Sequence, residues 1–229
     1  MRTQVPKPVA YATHTVWVTL PATITLMKQH RNSGAKASTM LQAQFLNTGV
    51  NASIILLSAT CIEGFLVECL QSFATDIHFE NDQLQKEILT AMFPDFPRLF
   101  EQVLGKPLGD LIEKDIHKGS RMLVNFRNGL AHCRSASYWG YNVPSSTERK
   151  FMLGGQYEEI YAYVKSHGLL DTQGLKGVEA IVGTESLFTN KIADHFSNLV
   201  KPYMDEVLKQ LPPPQTDSMG LMVTMAFGT

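Results

Sequence analysis

The amino-acid sequence predicts a mainly all-α fold, and three observations carry that expectation. Val50 to Ala74 is apolar almost all round, the pattern of a helix buried at the centre of a bundle. Lys114 to His132 repeats at helical spacing, with an apolar stripe on one side and a basic line on the other. Pro94, Pro97, Gly105 and Pro107 punctuate the stretch between them, each a residue that begins or ends helices.

With 229 residues, 44% of them hydrophobic and 18% charged, the chain can bury one good core. The expected organisation is therefore one domain with extensions: residues 1–34 as an N-terminal extension, 35–211 as the helical domain, and 212–229 as a flexible or partner-docking tail. In the N-terminal part, Thr13 to Leu26 mixes β-branched residues with Pro21 and suits a loop or short strand more than a helix. Ala35 to Leu46 is rich in Ala, Met, Leu and Gln and reads as a helix stopped at Asn47 to Gly49. Asn51 then suits the N-cap of the central helix, which runs to about residue 74.

Asp82 to Met92 and Phe96 to Leu104 read as shorter helices. Lys114 to His132 is the second core helix. Ser135 to Gly155 is loop-like, although Tyr138, Trp139 and Tyr141 suggest that it packs on something. Gln156 to His167 is helical with Gly168 as its stop, and Ser186 to Leu211 is one long amphipathic helix ended by Pro212, Pro213 and Pro214. Beyond it, Met219, Met222 and Met225 suit either disorder or a docking surface.

Composition narrows the function classes. A net charge of −1 provides no global positive field to hold nucleic acid, so any such site must be local. Three cysteines, Cys61, Cys69 and Cys133, are an odd number without a CxxC pair, which argues against a disulfide framework and a zinc knuckle. On one helix Cys61 and Cys69 would stand roughly 12 Å apart, beyond disulfide reach. A reducing cytoplasm is expected. The start of the chain lacks the apolar run of a secretory signal. Glu63, Glu68 and Gln71 make the central helix a buried one rather than a membrane span. No GxxxxGK(S/T), HExxH, GxSxG or paired Cys/His cluster occurs, so neither a metal site nor a cofactor is expected.

At about 100° per residue, Lys114, Lys118, Arg121, Asn125, Asn128 and His132 fall within about 40° of one line on their helix. Ile112, Ile116, Leu123, Phe126 and Leu130 form the opposite, apolar stripe. Arg127 lies about 140° round from His132, toward that stripe. An arginine so placed needs a partner, and the purely structural reading is an ion pair with Glu63 or Glu68 of the central helix. Lys118 and Arg121 suit contacts to a nucleic-acid backbone, and equally an ordinary solvated stripe. Tyr138, Trp139 and Tyr141 suit loop packing more than base stacking.

Arg127-Asn128-Gly129-Leu130-Ala131-His132 resembles the R-x4-6-H motif of HEPN domains, in the four-spacer form with a polar residue after the arginine. The resemblance covers roughly Ala35 to Arg134. It implies a helical bundle and a metal-independent endoribonuclease whose two protomers face each other across one cleft. Arg127 would stabilise charge on the phosphorus, His132 would move protons, and Asn128 would orient the imidazole or bind phosphate. Glu63 and Glu68 would orient Arg127, and Lys118 and Arg121 would position RNA. The implied partners are RNA, a second copy of the chain, and an inhibitory antitoxin or regulatory protein, in a toxin or antiviral-defence setting. One departure stands out: family members controlled by a nucleotidyltransferase carry a tyrosine two residues after the histidine, where this chain has Arg134. The rival readings are a non-catalytic HEPN-like module for RNA, nucleotide or dimer contacts, and a purely structural helical protein.

Overall fold

The computed structural model describes residues 16–31, 40–77, 82–131, 138–142, 149–153, 156–170, 187–213 and 215–228. The expected loop or short strand over Thr13 to Leu26 is, from Val16 on, a 3-10 turn, Val16–Thr19, running into helix α1, Leu20–His30. Pro21 sits in its first turn, where no backbone N–H is needed. The threonines that argued for a strand return their hydroxyls to carbonyls one turn back, Thr23 to Thr19 at 3.1 Å and Thr25 to Pro21 at 2.9 Å. Trp17, Leu20 and Ile24 supply the buried stripe that holds this helix on the protein.

Helix α2, Met40–Ile77, is continuous over 38 residues. The expected stop at Asn47 to Gly49 and the cap at Asn51 are thereby corrected. Gly49 faces open space and is merely carried along, at a cost of about 1 kcal/mol relative to alanine. Asn51 is fully buried and has a long-range task. Its Nδ2 donates to the Phe188 carbonyl at 2.7 Å and to Asn190 Oδ1 at 2.9 Å, and its Oδ1 accepts from Arg31 Nη1 at 3.3 Å. A buried amide so fully partnered favours the conformation that keeps it there, here the helix interior.

Helices α3, Asp82–Thr90, α4, Phe96–Leu104, and α5, Lys114–Ala131, follow with the expected bounds to within two residues. Gly105 closes α4 in the left-handed region at φ 73°, its N–H on the Glu101 carbonyl at 2.8 Å. The segment read as a loop from 135 to 155 contains an antiparallel hairpin, β1, Tyr138–Asn142, paired with β2, Arg149–Leu153. This is the one sheet among the described residues. Helix α6, Gln156–Ser166, ends at Gly168 as expected.

The long helix expected over 186–211 is two: α7, Asn190–Asn198, and α8, Val200–Leu208. The break has a local cause. Pro202 cannot donate to the carbonyl of Asn198 and its ring crowds that turn, so the chain resets at Leu199. Thr189 caps α7, its hydroxyl accepting from Ile192 N at 3.3 Å. The expected flexible tail is helix α9, Gln215–Phe227, which buries Met219, Val223 and Ala226 and packs on α8, α1, α2 and the 3-10 turn. Its docking partner is the chain's own domain.

α2 is the hub, packed by α1, α3, α4, α5, α7, α8 and α9. Its stretch Leu46–Ser72 is long and apolar enough to cross a bilayer, yet Ile54, Ile55, Ile62, Phe65, Leu66 and Leu70 are fully buried among the other helices. Burying each such side chain contributes about 1.5–3 kcal/mol. Gly64 admits the 3-10 turn against α2: a Cβ there would stand 2.9 Å from Trp17 Cβ.

Candidate functional site

The site begins with the crossing of α2 and α5. Phe126 and Leu123 of α5 are fully buried, so the next residue on that turn, Arg127, is carried to the edge of the interface with α2. Its Nη2 donates to Glu63 Oε1. The two side chains retain 24% and 20% exposure. Burial pushes the Glu63 carboxyl above its usual range, against the opposing pull of Arg127 and of the Phe93 backbone N–H. Arg127 Nε is buried without a hydrogen-bond partner among the described residues. Glu63 therefore fixes one arm of the guanidinium, and the fork keeps donor capacity and a partial opening to solvent.

Glu68 does something else. It is 9% exposed and accepts a hydrogen bond from Trp17 Nε1 at 2.5 Å. Burial raises its pKa, and the indole N–H lowers it in part. Of the two glutamates expected to orient Arg127, Glu63 meets it and Glu68 is turned to the 3-10 turn instead, as two residues about 140° apart on one helix must be. Trp17 also stacks edge-on against Phe65 at 5.4 Å, and its carbonyl accepts from the Cys61 thiol at 3.5 Å. Both Cys61 and Cys69 are free and buried, with Cys61 pushed up to about 12 by burial. They are inert packing groups.

The basic line on α5 exists. Lys118 and Arg121 are exposed, and Asn125 and Asn128 are half-buried further along. His117, one turn before Arg121, is held below the usual imidazole range by burial first and by the Arg121 charge second. α5 ends at Ala131. His132 lies just beyond it, outside the described residues, as do Cys133 and Arg134. The side chains of Tyr138, Trp139 and Tyr141 are likewise outside the described set. No group of three His, Cys, Asp or Glu side chains suited to a metal ion occurs among the described residues.

Two polar groups had no signal in the sequence. One joins Arg31, Asn51 and Asp194 across α1, α2 and α7, with Arg31 Nη2 on Asp194 Oδ2 at 2.5 Å. The other joins Tyr163, His167 and His195, with the Tyr163 hydroxyl 3.0 Å from His195 Nε2. Apart from Tyr163 and His167, which are four residues apart, the partners stand 20 to 163 residues apart, and local spacing carries no information about such pairs. The chain matches no protein-family model, no curated protein and no solved structure.

Proposed function

We propose that the protein is a metal-independent endoribonuclease of the HEPN kind, with Arg127 and His132 as its catalytic pair. The observation that carries this reading is the Glu63 clamp on Arg127: a permanently charged fork held at the edge of the core, partly open, in the last turns of the helix that leads into His132. A guanidinium fixed in this way can stabilise charge on a phosphate without reorganising. Lys118 and Arg121, exposed along the same helix, supply the local positive surface that a near-neutral chain needs for such a site.

In the proposed reaction the ribose 2′-oxygen forms a bond to phosphorus and the bond to the 5′-oxygen breaks. A base removes the 2′-hydroxyl proton and an acid protonates the leaving oxygen, giving a 2′,3′-cyclic phosphate. An imidazole suits either role at neutral pH. One His132 serves one of them, and a second copy of the chain in a two-fold dimer supplies the other. Asn128 holds the imidazole or the phosphate. Control by an inhibitory partner, a role in toxin or antiviral systems and a cytoplasmic location belong to the same proposal.

A second reading has one observation in its favour. Arg127 already has an anionic partner in Glu63, so the pair suffices to explain the arginine structurally, and the domain could bind RNA or nucleotide without cutting it. The deciding experiment incubates the full-length protein with total RNA and defined tRNAs in excess EDTA, beside His132→Ala. Cleavage that leaves cyclic phosphate ends and vanishes in the variant supports the enzyme. Binding without cleavage, unchanged by His132→Ala, favours the module.

A further inference from the structure

Three consecutive residues of the short helix α7 key it into three different neighbours. Asp194 takes Arg31 at 2.5 Å and Lys28 at 3.5 Å beside α1. His195 takes Tyr163 of α6. Phe196 packs edge-on to Phe126 of α5 at 5.8 Å, next in sequence to Arg127. The middle key is the one that can titrate near neutrality.

The geometry around it confines the imidazole. The Tyr163 hydroxyl is seated so close to α5 that a Cβ on Gly119 would stand 2.7 Å from it, and the ring is 4% exposed. Its partner is His195 Nε2. Burial and the neighbouring Asp115 charge hold the phenol protonated, so its hydroxyl has a proton to give to an unprotonated His195 Nε2. The His167 ring lies 5.6 Å from the His195 ring and 4.1 Å from that of Tyr163, its Nδ1 on the Tyr163 carbonyl at 2.8 Å.

Asp115 of α5 acts on Tyr163. On α7 itself, Lys191 is tied to the Gly168 carbonyl at 2.7 Å and Asp194 is engaged by Arg31 and Lys28. The two influences on His195, burial and His167, both disfavour its charged form.

We propose that Tyr163, His195 and His167 form an acid-sensitive latch that holds α7 docked at neutral pH and releases it when His195 gains a proton. A proton on His195 places a cation in a half-buried site beside His167 and takes the Nε2 lone pair from the Tyr163 hydroxyl. The sign follows from linkage. A folded-state pKa below the ordinary 6.5 means that the undocked form binds the proton more readily, so docking is complete above 6.5 and is lost as pH falls below it. Release of α7 would remove Phe196 from Phe126. The latch does not depend on the ribonuclease reading.

Hydrogen exchange of the full chain at pH 7.5 and 5.5, corrected for intrinsic rates, tests this. In the parent, α7 amides should lose protection at pH 5.5, with about tenfold as the ceiling that one proton can set over one pH unit, while the α2 core stays protected. His195→Gln, which accepts the hydroxyl but does not titrate, should abolish the loss. If that variant does not fold, His195→Asn, which likewise does not titrate, should give pH-independent protection of α7 instead. Equal protection of α7 at both pH values in the parent overturns the proposal. So does an undiminished loss in His195→Gln, or a loss shared equally by α2.

Discussion

Removing Glu63 should destabilise the protein through the charge it leaves behind. In Glu63→Ala the Arg127 guanidinium, 24% exposed and with Nε unpartnered among the described residues, loses its carboxylate. Breaking a fully buried pair from one side costs about 3–5 kcal/mol, and an exposed pair about 0.2–1 kcal/mol. With roughly a fifth to a quarter of each side chain open to water, the expected loss is about 2–3 kcal/mol. In a urea melt followed by circular dichroism, with a slope of about 2–3 kcal/mol/M, the midpoint should fall by about 1 M. The pair as a whole is a different matter. Burial raises the Glu63 pKa above its ordinary value. A raised carboxyl contributes stability that is present below the unfolded pKa and lost as pH rises through the folded one, so the ionised pair at neutral pH carries an unrecovered desolvation cost. Glu63→Leu combined with Arg127→Met should therefore lie within about 1 kcal/mol of the parent, or above it, while being inactive on RNA. A Glu63→Ala loss below about 0.5 kcal/mol, or a double variant as unstable as the two single losses added together, would refute this account.

Other perturbations probe the packing. Gly64→Ala should lose about 1–3 kcal/mol in the same melt, because the new methyl meets Trp17 Cβ, an atom tied directly to backbone. Tyr203→Phe should be neutral or stabilising by up to about 1 kcal/mol, since the buried hydroxyl it removes has no partner among the described residues; a clear loss in thermal denaturation would reveal a bond to that oxygen. Deleting 212–229 should lower the melting temperature and increase binding of an apolar dye, because Met219, Val223 and Ala226 cover part of the core. Glu68→Gln should cost less than Glu63→Ala and leave RNA cleavage unchanged, since Glu68 serves Trp17 and not Arg127; equal effects on cleavage would show that both carboxylates act on the arginine.

The elements legible in the sequence were those whose own composition decides them. α4 declares a buried face in Phe96, Leu99, Phe100 and Val103 and a stop in Gly105, and both are found. α5 likewise shows its stripe. Where a partner far along the chain decides, local rules misled. Asn51 has the chemistry of a cap, but its amide is consumed by Phe188 and Asn190, so α2 runs through it. Val16 to Leu26 has strand composition, but Trp17 is anchored by Glu68 and packed on Phe65, and the chain coils to present it. The break at Leu199 is the exception: there Pro202 acts on the Asn198 carbonyl by a local rule that outweighs the amphipathic pattern running through it.

The candidate site divides along the same line. That Arg127 leans toward the core and needs a carboxylate follows from helix geometry alone, and Glu63 answers it. Which of two glutamates would answer could not follow, because it depends on how α5 crosses α2, and only the fold sets that. The same dependence gives Arg127 two meanings that stability and activity separate. If Glu63 only neutralises it, replacing both by apolar residues removes a cost and nothing else. If Glu63 holds it for a phosphate, the same replacement keeps the fold and destroys the reaction, and Glu63→Gln, which keeps a hydrogen bond and loses the charge, should fall between in cleavage rate while binding RNA as before. A protein whose Glu63 and Arg127 can be exchanged for leucine and methionine with no change in RNA handling uses that crossing for architecture alone.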